Sequence, residues 1–176
     1  MYSLLNMSNE ELRETLKQMG YPSFRADQIN NWVFQKHVYE PELMTNLPKE
    51  IKALLGTQIG FDLPEVVQRL VSPIDRTEKY LLGLDDAQTV ESVLLYHMDR
   101  ITACLSTQVG CALKCAFCAT GKGGFVRNLS CAEIIGQVLV MERPPGSGGS
   151  ESAQKIGNIV FMGMGEPLLN YEEVKQ

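Results

Sequence analysis

Three cysteines on one short stretch, Cys111-x3-Cys115-x2-Cys118, constrain this chain more than any other feature. The chain has 5 cysteines in all, and every one lies between Cys104 and Cys131. An odd number packed so closely reads as a metal site and not as a set of disulfide staples. Three thiolates on a tight loop can converge on one face of a cubane cluster. A [4Fe–4S] cluster ordinarily takes four cysteines, so three leave one iron open to a small molecule. Gly110, Ala112, Ala116, Ala119 and Gly121 surround the ligands. Such small residues let the backbone wrap closely and offer amides to the sulfurs, which tunes the redox potential. A structural zinc site needs a fourth Cys or His at matching spacing. Cys104 and Cys131 are available in number, while His37 and His97 are poorly placed. The spacing therefore favours a cluster over zinc.

Composition sets wider bounds. Of 176 residues, 44% are hydrophobic, which excludes wholesale disorder, a collagen-like repeat and a disulfide-dense miniprotein. No run approaches the ~18 apolar residues that a membrane span needs. The start, MYSLLNMSNEELRE, has acids where a signal peptide needs a basic stretch and then an apolar one. These features predict a soluble, cytoplasmic protein without a membrane partner. The net charge is −5 and the pI about 5.1, which argues against an autonomous nucleic-acid binder. Arg100, Lys114, Lys122, Arg127 and Arg143 stand against Asp99, Glu133 and Glu142, a local excess of +2. A positive face of that kind is still compatible with a folded RNA partner.

Patterning divides the chain. Ser8 with Glu11 is a capping box, and Leu12, Leu16 and Met19 follow at helical spacing before Gly20. Phe24, Ile29, Trp32 and Val33 predict a second helix. Pro48, Ile51, Leu54 and Leu55 predict a third, ended by Gly56. From residue 66 the period shortens. VVQRLVS, EKYLLGL, TVESVLLYH and ITACLST read as strands of an antiparallel meander, separated by turns at 73–76, 85–88 and 97–100. The segment STQVGCALKCAFCATGKGGFVRNLS reads as loop. Ser130 with Glu133 opens another helix, PPGSGGSESAQK (144–155) reads as a flexible connection, and IGNIVFM (156–162) as a buried strand. Strand, helix, strand is a βαβ unit with parallel strands. Asn170 with Glu173 is a third helix-start signal. So short a final helix would not be stable alone, and one βαβ unit leaves an open edge. The expectation is the N-terminal part of a longer protein.

At the cysteines the sequence resembles a known superfamily: CxxxCxxC after a first strand is the signature of radical S-adenosylmethionine enzymes. The wider match is more specific. LSTQVGCALKCAFCATGKGGFVRNLS, EIIGQVL and VFMGMGEPLLN resemble the dual-specificity RNA methyltransferases that methylate C2 of an adenine in large-subunit ribosomal RNA and in certain tRNAs. PSFRADQINNWVFQK and LPKEIK are similar, more loosely, to that family's accessory domain. The resemblance implies an α/β architecture: a helical accessory domain (1–60), a β-meander linker (61–98), and the truncated start of a parallel (βα) barrel (99–176).

The resemblance also implies residue roles. Cys111, Cys115 and Cys118 would hold a [4Fe–4S] cluster whose open iron chelates S-adenosylmethionine, which an electron then cleaves to a 5′-deoxyadenosyl radical. Phe117 would face the adenine, or is simply a core aromatic. Gly165 and Glu166 of GMGEP would bind S-adenosylmethionine, the carboxylate accepting from the methionine amine. Cys104 would resolve a covalent enzyme–RNA adduct through a transient disulfide, a role that requires a reachable, ionisable thiol; the plain alternative is a small buried strand residue. Glu91 in TVESV would be the general base for the adenine proton, which suits a buried carboxylate; otherwise it is an acid on a solvated face. Cys131 matches no assigned role and reads as structural. The family's methyl-carrying cysteine near the C-terminus has no counterpart, so this polypeptide alone is expected to be inactive. The implied partners are rRNA, tRNA and an electron donor such as flavodoxin, with the full-length protein a monomer. The alternatives are a C8-methylating relative, a zinc-binding interaction module, and a non-catalytic RNA or partner binder.

Overall fold

The computed structural model describes residues 2–143 and 155–176. The expected flexible connection falls, apart from Lys155, outside the described residues.

The first sixty residues form a small helical unit. Ser8 Oγ accepts from the Glu11 amide, and the Glu11 carboxylate accepts from the Ser8 amide, so α1 (Asn9–Gln18) starts where the capping box places it. Leu12 and Leu16, one turn apart, are its buried stripe. They pack with Ala26 and Ile29 of α2 (Arg25–Asn30), with Val33 in the π-turn after it, and with Ile51 and Leu54 of α3 (Lys49–Leu54). The unit is closed by two short parallel strands, β1 (Tyr2–Ser3) and β2 (Ile59–Gly60).

The meander follows as read: β3 (Glu65–Val71), β4 (Glu78–Gly83), β5 (Thr89–His97) and β6 (Arg100–Cys104), each antiparallel to the next. Each connecting turn carries one non-glycine residue at positive φ, namely Arg76, Ala87 and Met98. One face buries Tyr80, Leu82, Val90, Leu94 and Ala103. At its outer end the Glu78 carboxylate accepts from Arg69, Tyr80 and Tyr96. Burial opposes ionisation there, but these three donors outweigh it and hold the carboxyl down at about 2.

The segment expected as loop contains structure. β7 (Gln108–Gly110) pairs antiparallel with β8 (Phe125–Asn128), and the one-turn helix α4 (Ala119–Lys122) lies between them. Glycine and alanine content hid this hairpin because one backbone ladder, not side-chain periodicity, makes it.

Helix α5 (Cys131–Glu142) joins the two cores. Its sequence is apolar nearly all round, and such a helix must be covered on more than one side. Ala132 and Leu139 belong to the core of the helical unit, while Ile134, Val140 and Met141 belong to the core under the sheet. Its first amides, orphaned in any helix, are all bonded. Ser130 N donates to the Glu133 carboxylate, Cys131 N to the Glu173 carboxylate, Ala132 N to Asn6 Oδ1, and Glu133 N to Ser130 Oγ.

After α5 the chain enters β9 (Asn158–Val160), parallel to β6, which completes the βαβ unit. The five-stranded mixed sheet has order β3-β4-β5-β6-β9, and no barrel closes among the described residues. The expected burial of the last strand is corrected. β9 pairs on one side only, and Ile159 is 48% exposed. The final helix, α6 (Tyr171–Lys175), starts where expected but not for the expected reason. Asn170 caps nothing with its side chain. It is buried, and its Nδ2 donates to the carbonyls of Thr107 and Leu129, which would otherwise be interior acceptors without donors. Glu173 serves α5 instead. No helix of the described residues is long and apolar enough to cross a membrane.

Candidate functional site

The candidate site forms where the parallel strands β6 and β9 end. Open parallel sheets bind ligands at the carboxyl ends of their strands, where loops diverge. From β6 the chain runs through Leu105, Ser106 and Thr107 into β7. From β9 it runs into the GMGEP loop, 163–167. The two are bonded closely: Gly163 N to Leu105 O at 3.0 Å, Thr107 N to Met164 O at 2.8 Å, and Gln108 N to Met164 O at 3.2 Å. Gln108 is buried. Its Oε1 accepts from Glu166 N at 3.0 Å, and its Nε2 donates to Asn128 at 2.8 Å. Gly165 has φ +100°, and a Cβ there would lie 2.6 Å from Gln108 Cβ. The loop therefore sits against the root of the cysteine hairpin, and only glycine allows it to come so near.

Within the hairpin, Cys111 N donates to Gly124 O at 2.9 Å, directly after the β7–β8 pairing ends. Cys111 is buried, whereas Cys115 and Cys118 are part-exposed. Cys118 is the N-cap residue of α4, and its thiol lies below the usual range because the amides of Gly121 and Thr120 donate to it. The three cysteines share one loop, but no group of three or more His, Cys, Asp or Glu side chains is gathered for a metal ion among the described residues. The donor set itself suits an iron–sulfur cluster: three thiols on one short loop with small neighbours. A structural zinc site would ordinarily take a fourth Cys or His beside these three. Phe117, between two of the cysteines, is 93% exposed and belongs to neither core of this chain.

Glu91 and Cys104 lie on the open face of the sheet, opposite α5. Glu91 pairs with Leu81 and Cys104 with Val93, while the intervening Ser92 and Leu94 point into the core. The Glu91 side chain is 47% exposed and ion-paired to Lys79 at 2.7 Å, so the burial that would favour a base is not present here. Its backbone is fixed to the GMGEP loop. Glu91 N donates to Met164 Sδ at 3.4 Å, and Ser106 Oγ donates to Glu91 O while accepting from Met164 N. Cys104 is part-buried, and desolvation pushes its thiol upward, only partly offset by a bond from the Met162 amide. All five cysteines are free, and no disulfide joins them. Cys131 is buried, and burial together with Glu173 raises its thiol.

Several residues that build the site were not legible as such. Gln137 is fully buried on α5; it accepts from Ser92 Oγ and Ser106 N and donates to the carbonyls of Ser106 and Glu133. It thereby ties the helix to the strand end that carries Cys104. A single glutamine in the apolar run IIGQVLV was the available signal, as was Gln108 in STQVG. Glu166 has a local task as well, accepting from Leu168 N at 3.1 Å as the cap of a short 3-10 turn.

Comparisons with known proteins agree with this arrangement. A family model described as "Ribosomal RNA large subunit methyltransferase N-terminal domain" matches residues 2–59. A "Probable dual-specificity RNA methyltransferase RlmN" of Fervidobacterium nodosum is 49% identical over 172 residues, covering 98% of this chain and 47% of the relative. The protein of the same name from Thermotoga maritima is 52% identical over 172 residues, covering 98% and 48%. The crystal structure of a radical SAM methyltransferase from Sphaerobacter thermophilus superposes with a TM-score of 0.91 at 38% identity, covering 99% of this chain and 50% of that one. The chain thus spans about half the length of the curated relatives it matches. Over almost its whole length the chain is similar to one half of dual-specificity RNA methyltransferases and of a radical SAM methyltransferase, and its first sixty residues match the N-terminal domain of such ribosomal RNA methyltransferases.

Proposed function

We propose that this chain is the cluster- and S-adenosylmethionine-binding portion of an enzyme that methylates C2 of adenine in large-subunit rRNA and in tRNA. The observation that supports this best is the bonding of the GMGEP loop to the root of the cysteine hairpin through Met164 and Gln108. Two segments that are distant in sequence thereby share one end of the sheet. In this reading Cys111, Cys115 and Cys118 hold a [4Fe–4S] cluster. Gly165 and Glu166 seat the methionine portion of S-adenosylmethionine. When bound, the pair supplies one-electron chemistry for generating a radical. Glu91 takes the proton from the adenine, and Cys104 provides a thiol for exchange with a partner cysteine beyond this sequence. Residues 1–60 act as the accessory domain, 61–98 as the linking strands and 99–176 as the beginning of the catalytic barrel. An acidic carrier of the flavodoxin type delivers the electron, and the intact enzyme is a cytoplasmic monomer.

The test is product analysis with the intact enzyme of which this chain is the N-terminal portion. Reconstituted with iron and sulfide, reduced, and given S-adenosylmethionine and an rRNA fragment or tRNA, it is expected to yield 2-methyladenosine on both RNAs. Methylation at C8, or a colourless zinc protein that leaves RNA unmodified, would overturn the proposal.

A further inference from the structure

We propose that Lys79 is a positioning residue for Glu91: its ammonium holds one carboxylate oxygen in place on the open sheet face. The inference rests on the reading of Glu91 as the adenine base. Lys79 Nζ lies 2.7 Å from Glu91 Oε1. The two residues stand diagonally across β4 and β5, Lys79 opposite Val93 and Glu91 opposite Leu81. Diagonal neighbours in an antiparallel pair are within reach of long side chains.

Three observations point beyond an ordinary surface ion pair. The pair stands among apolar side chains, since Leu70 and Leu81 with Gln68 line the same recess of about 80 Å³. The face is the one that carries Cys104, two residues along the ladder from Glu91. The Glu91 backbone is already anchored at both polar groups, to Met164 and to Ser106. What is left free to move is the side chain, and Lys79 restrains it. Both side chains are about half exposed, 48% and 47%, and pairs so exposed add little to stability. The benefit of the contact is therefore orientation: a base works only within hydrogen-bond reach of its proton.

The test is steady-state methylation by the intact enzyme carrying Lys79→Met, Lys79→Arg, Glu91→Gln and the double variant. Lys79→Met is expected to lower kcat about tenfold with KM for RNA unchanged, and Lys79→Arg to recover most of it. Glu91→Gln is expected to fall by roughly a hundredfold or more. The double variant should be no slower than Glu91→Gln, because a residue acting through another has no effect once that partner is gone. A raised KM with unchanged kcat in Lys79→Met, or additive losses in the double variant, would overturn the inference. Full activity in Lys79→Met beside an inactive Glu91→Gln removes this inference alone. Full activity in Glu91→Gln removes the reading of Glu91, and this inference with it.

Discussion

Cys118→Ala is expected to empty the chain of iron without unfolding it. Cys118 is part-exposed and caps a single helical turn, so removing its sulfur opens no cavity in either core. A [4Fe–4S] cluster held by only two thiolates would be lost, and iron should drop from about four per chain to background. Cys115→Ala should behave the same way. Cys111→Ala should additionally soften the hairpin, because Cys111 is buried at its base. Iron and sulfide assays after anaerobic reconstitution measure the first effect, and circular dichroism the second. Retention of full iron by Cys118→Ala would remove this residue from the ligand set.

The second large effect is expected from Gly110→Ala. At φ +75° an L-residue is strained by about 1–2 kcal/mol. The larger obstacle is space, since the new Cβ would lie 1.9 Å from Gly124 O. That oxygen accepts from Cys111 N, so the backbone cannot give way without losing the bond that closes the hairpin. We expect a total loss of about 3 kcal/mol or more, from strain and an orphaned amide together. Amide exchange should quicken at 108–111 and 125–128 while α1 and α5 stay protected, and iron uptake should fall. Wild-type protection in the hairpin of this variant would contradict the geometry described.

The capping boxes at Ser8 and Ser130 were readable because a local pair of side chains sets each start. Strands β4 and β5 of the meander were readable because one face of each is buried, whereas β3 is largely exposed and was readable from its β-branched residues. The hairpin around the cysteines was not, since Gly110 and Gly124 work through backbone conformation and closeness, which leave no periodic trace. Asn170 misled for a related reason: Asn and Glu three residues apart look like a helix start, but a buried asparagine serves any carbonyl that needs a donor. The candidate ligands Cys111, Cys115 and Cys118 were plain from spacing. The residues that bring the GMGEP loop to them, Gln108 and Ser106, act over distances in sequence that no local pattern records. The placement of Glu91 beside Lys79 likewise depends on the register of two strands.

In the proposed function the cysteine hairpin and the GMGEP loop would together hold an iron–sulfur cluster with one iron left to S-adenosylmethionine. Electron paramagnetic resonance of the reconstituted, reduced chain, recorded with and without S-adenosylmethionine, tests it most directly. A four-iron signal whose g-values shift on addition of S-adenosylmethionine is expected, with a smaller shift in Glu166→Ala. A fully loaded cluster whose signal is unchanged by S-adenosylmethionine would contradict it.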